Sequence, residues 1–158
     1  MSFESLHDRL PRLAEAETRT VTVLESSVDS KSLPPSDYTF VEMFCNEPGC
    51  DCRRVFFSVA SSRTQKMEAV IAYGWENRKF YRDWFKHGTA DDITMLQGPV
   101  LNEGSLRTKH SEAILQLFID NLLPQKAYIE RVKRHYKQFR ATVDAPRNPL
   151  LRRRRTGG

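Results

Sequence analysis

Cys45, Cys50 and Cys52 are the only cysteines in 158 residues, and all three fall within eight positions of the stretch FCNEPGCDCRRV. Their spacing, C-x4-C-x-C, surrounds Pro48-Gly49. That pair suits the central positions of a type II turn, since proline presets the first φ and glycine accepts the positive second one. Such a turn folds Cys45 back toward Cys50. Cys50 and Cys52 are two apart, so in an extended segment both thiols face one side. Three sulfurs brought to one point are what Zn²⁺ takes, with thiolates at about 2.3 Å in a tetrahedron. Arg53 and Arg54 adjoin the cluster. They would offset the charge of the thiolates and lower the thiol pKa values.

Three cysteines leave one corner of a tetrahedron to fill. The chain has four histidines, His7, His87, His110 and His135. His135 shares helical spacing with Tyr128, Val132 and Phe139, so it lies on an inward face and is the first choice as fourth ligand. His110 comes second, near a helix start with Ile114 and Phe118, and His87 third, at a helix end. A Cys3His site built this way would staple a distant helix to the loop and add directly to folding free energy. Three other readings stand beside it. Cys45 could be an ordinary strand residue with two loop thiols after it. Cys45 could pair with Cys50 or Cys52 in a disulfide. Three sulfurs with water in the fourth position would make a zinc site of the catalytic kind.

The elements that must position these residues read as an α+β fold. Tyr38 to Cys45, Arg54 to Ala60 and Lys66 to Tyr73 are runs of strand length, rich in Phe, Val, Ile and Tyr. Short connections make an antiparallel meander the simplest topology. The spacing predicts helices over 77–87, 108–123 and 125–140, packed on a small antiparallel sheet of three or four strands. The cysteine knuckle then sits at a strand connection. Residues 89–106 read as irregular, and Asp91-Asp92 as a cap. The stretch 1–37 reads as an N-terminal helix, split by Pro11, with a possible short strand at Thr20–Leu24 and a polar linker. The domain proper covers 38–140, and 141–158 reads as a disordered Arg-rich tail.

Net charge is +5, yet Arg147 and Arg152 to Arg155 against Asp144 place most of it after residue 140. The last helix adds Lys126, Arg131, Lys133, Arg134, Lys137 and Arg140 against Glu130. Together they form a basic end suited to phosphate contacts with RNA or DNA, with a solvated helix face and a solubilising tail as the plainer alternative. No P-loop, G-x-G-x-x-G, H-E-x-x-H or G-x-S-x-G occurs. No apolar run approaches the length of a membrane span, and no secretory leader is read at the N-terminus. A cytoplasmic protein is the expectation, and there clustered cysteines favour metal over disulfide.

FCNEPGCDCRRV, AYGWE at Ala72 to Glu76 and RVKRHY at Arg131 to Tyr136 together resemble a group of uncharacterised bacterial proteins. The resemblance spans 38–140. It carries no activity, but it implies that the knuckle and the Arg-His-Tyr helix belong to one module. The expected function is therefore a non-enzymatic, zinc-stabilised binding module contacting nucleic acid through Arg131, Lys133, Arg134, Lys137 and Arg152–Arg155. A protein-interaction module with structural zinc and a metal-dependent or thiol-based enzyme are the alternatives.

Overall fold

A computed structural model describes residues 2–24 and 33–145. The linker residues 25–32 and the Arg152–Arg155 run lie outside them. Phe3–Ser5 forms β1, Leu6–Arg9 α1, Pro11–Glu17 α2 and Arg19–Val23 β2. Three long strands follow, β3 over Ser36–Cys45, β4 over Arg54–Ser61 and β5 over Lys66–Gly74. Then come α3 (Arg78–Trp84), α4 (Ala90–Gln97), β6 (Val100–Leu101), α5 (Ser111–Leu117) and α6 (Lys126–Val143). A π-helical turn over Phe118–Leu122 continues α5.

All six described strands join one antiparallel sheet in the order β1-β3-β4-β5-β6, with β2 also paired to β3. The expected count was three or four. The two extra strands at the β3 edge come from the N-terminal segment: Phe3 pairs with Cys45, and Arg19 with Phe40. Leu6 and Ala14 join the core with them, so this segment is built into the sheet layer. Pro11 does split the N-terminal helix, sitting in the first turn of α2 where its missing N–H costs nothing.

Alternation explains the central strands. Tyr38, Phe40, Glu42 and Phe44 of β3 all point inward, as do Val55, Phe57 and Val59 of β4. Against this face pack Phe118 and α6. The Phe57 ring lies 5.1 Å from that of Phe118, and the Phe44 ring 5.5 Å from that of Phe139. Each such buried ring contributes about 1.5–3 kcal/mol by leaving water. Helix α6 presents Tyr128, Val132, His135, Tyr136 and Phe139 to the sheet at three-four spacing. On α3, Tyr81 is buried, whereas Phe85 just beyond its end is exposed. Helix α4 occupies part of the stretch read as irregular, opened by a capping box between Thr89 and Asp92. The expected cap role of the acidic pair is thus met by Asp92.

Candidate metal centre

Cys45 is the last residue of β3, and Arg54 opens β4, so residues 46–53 form the connection. Inside it, Cys50 N–H donates to Glu47 O at 3.2 Å, closing a four-residue turn with Pro48-Gly49 at its centre. Gly49 takes φ +76°, the left-handed value that a type II turn asks of its third residue. Arg53 also has positive φ, at 49°. Hydrogen bonds hold it there: its N–H donates to Tyr136 Oη at 3.2 Å, and its carbonyl accepts from Tyr81 Oη at 2.9 Å.

The three sulfurs lie within 4.8 Å of one another, as the spacing predicted. None is in a disulfide. Cys45 and Cys52 are buried and Cys50 is half-buried. The backbone N–H groups of Glu47 and Arg54, each two residues beyond a cysteine, favour the thiolate of Cys45 and Cys52 respectively.

Burial nonetheless dominates the protonation of Cys45 and Cys52. Burial pushes Cys52 up to about 12, and the neighbouring sulfurs add to the rise. Burial raises Cys45 too. The expected lowering by Arg53 and Arg54 is therefore not what the structure shows. Three adjacent sulfurs ionise together only when a cation sits among them, and a bound metal is such a cation.

The arginines play separate parts. Arg53 is half-buried and pairs with Asp51 at 2.9 Å and Glu76 at 3.4 Å. Arg54 is buried, and its Nε donates to Leu96 O at 2.8 Å. Among the described residues it has no carboxylate within 4.0 Å, and all three sulfurs act on its charge. Arg140, from the end of α6, reaches into the knuckle. Its Nη1 donates to Cys45 O at 2.7 Å and its Nη2 to Glu47 O at 2.9 Å. Arg140 also pairs with Asp144 at 2.8 Å, and Asp144 accepts from Gly49 N–H at 2.9 Å.

Helix α6 is thus tied to the knuckle by Arg140, and His135 requires correction as a ligand. Its ring is fully buried, with both nitrogens engaged elsewhere. Nδ1 lies 2.8 Å and 3.1 Å from the two oxygens of Glu42, and Nε2 lies 3.1 Å from Glu17. Burial by itself would lower the His135 pKa, but the hydrogen bonds and charges of Glu42 and Glu17 overcome this and raise it. Two carboxyl groups facing the ring thus favour its protonated form, while burial raises the pKa of Glu42. Arg134 also bonds Glu17, at 3.0 Å from one oxygen, and that bond leads in holding the Glu17 carboxyl down at about 2.

His110 is buried beside the start of α5, and His87 is exposed between α3 and α4. Among the described residues no histidine or carboxylate joins the sulfur cluster. Glu42 was passed over by sequence reasoning, and Arg140 was read only as part of the basic end. Glu42 left a signal, as the one charged residue in the inward alternation of Tyr38, Phe40 and Phe44.

Searches against protein-family profiles, curated proteins and solved structures return no match for this chain. No described helix is long and apolar enough to cross a membrane.

Proposed function

We propose that this chain is a zinc-stabilised binding module in which Cys45, Cys50 and Cys52 hold one Zn²⁺. The observation that carries this reading is the convergence of three unpaired sulfurs within 4.8 Å, two of them buried. Thiolate donors suit zinc over the harder divalent cations, which take oxygen. With the metal bound, the 46–53 connection is fixed at both ends, by sulfur on one side and Arg140 on the other.

Elemental analysis of the purified protein tests this. One equivalent of zinc is expected in the wild type, and well under one in Cys50→Ser. Zinc content equal in the two proteins would overturn the assignment.

Nucleic acid as the partner is a second reading, favoured by an open groove of about 590 Å³ lined by Arg131, Lys133, Arg134 and Lys137. Against it, Arg134 is paired with Glu17 and Lys133 with Glu130. Exposed pairs of this kind are weak, and phosphate can displace them. Titration with a fluorescent single-stranded oligonucleotide across salt concentrations decides the matter. If the four cations each meet a phosphate, the log–log slope should be about −2.8. Binding that ignores salt, or no binding at low salt, removes this partner.

A further inference from the structure

We infer that the fourth coordination position of the cysteine centre belongs to a neutral nitrogen donor, of the imidazole class, brought from outside the chain. This rests on the zinc reading above and goes a step past it. Zinc on thiolates takes four ligands in a tetrahedron. The chain supplies three sulfurs and has no other cysteine. Its histidines are placed elsewhere: His135 lies between Glu42 and Glu17, His87 and His7 are exposed on other elements, and His110 adjoins α5. Residues 25–32 and 146–158 contain neither cysteine nor histidine. A fourth sulfur or imidazole therefore has to come from outside residues 1–158.

Charge selects between those two donors. Three thiolates with one divalent cation carry a net charge of −1. Arg53 and Arg140 face three carboxylates, Asp51, Glu76 and Asp144, and so have no positive charge to spare for the sulfurs. Arg54 is the buried cation left over, with no carboxylate among the described residues, and it cancels that single charge. A neutral fourth donor keeps the centre neutral. A thiolate or carboxylate would leave an unbalanced charge where Cys45 and Cys52 are fully buried, and burying an unpaired charge is strongly disfavoured. Access is available on the knuckle side, where Cys50 is half-buried and Glu47, Pro48, Gly49 and Asp51 are exposed. In the isolated protein water fills the position, and a stronger neutral donor displaces it.

The test uses the full chain with Co²⁺ in place of zinc, because cobalt absorption reports its ligands. The cobalt protein is titrated with imidazole and, separately, with azide as an anionic comparator. Imidazole should shift the ligand-field bands in one saturable step, at a concentration at least tenfold below that needed for azide (roughly 1.4 kcal/mol). Bands unmoved by imidazole, or moved more readily by azide, would overturn the inference while leaving the metal reading intact. Absence of any sulfur-to-cobalt charge-transfer band would instead bring down the metal reading itself. Arg54→Met should weaken cobalt binding about 10–100-fold, the range for residues that support metal ligands. Unchanged cobalt affinity in that variant counts against the charge argument.

Discussion

Restoring zinc to chelator-treated protein at about 100 times its dissociation constant should stabilise it by about 2.7 kcal/mol. For a chain of this size that is a rise in Tm of about 5–11 °C. The expectation follows from linkage. In the proposed reading the metal would bind the folded knuckle, whereas the unfolded chain does not hold its sulfurs together. Cys52→Ser removes a fully buried ligand and should abolish the rise. Calorimetry on both proteins, with and without zinc, makes the comparison. A wild-type Tm indifferent to zinc would show that the cluster is packing alone. Its three sulfurs would then be ordinary small buried groups, whose reduced state needs no further account.

His135→Ala should destabilise the fold by about 3–5 kcal/mol and leave zinc content at the wild-type level. The cost arises because Glu42 is fully buried and loses its partner, and breaking a buried pair strands an uncompensated charge. Urea unfolding gives the stability and elemental analysis the zinc. Loss of zinc in this variant would restore His135 as a ligand. A cost below about 1 kcal/mol would show that the pair is not held as drawn. His135→Gln, which keeps a donor toward Glu42, should fall between wild type and alanine. The acid–base behaviour gives a separate check. The folded His135 pKa is raised above 6.5, so its contribution is fully present below that value. It should be lost as pH rises through the folded pKa, giving a fall in wild-type stability on the alkaline side. His135→Gln should show no such fall.

The three central strands were legible because their inward positions alternate over many residues. Tyr38, Phe40 and Phe44 leave little doubt about which way β3 faces. The turn at Pro48-Gly49 was legible for a different reason, a backbone demand that few residue pairs meet. Strand β1 was not legible. Phe3–Ser5 is three residues long, and it exists because β3 offers an edge on which Phe3 meets Cys45. Helix α4 was within reach, since Thr89 and Asp92 stand at capping-box spacing. His135 shows where periodicity stops. A repeat of 3.6 told which face of α6 it occupies, but not what stands opposite at that height. Its neighbour Tyr136, and Arg140 five residues on and about 7.5 Å further along the axis, are the residues that meet the knuckle. The identity of the facing residues is a tertiary fact, set by how β3 and α6 cross.

The hydrogen bonds from Arg140 to Cys45 O and from Gly49 to Asp144 each span 95 positions in the chain. On a ribosome adding about 5–20 residues per second, that separation takes roughly 5–19 s to synthesise. For that interval the nascent polypeptide displays three reduced thiols without the arginine that will brace them. In the proposed zinc site the arginine brace would thus be completed only long after the three cysteines have been made.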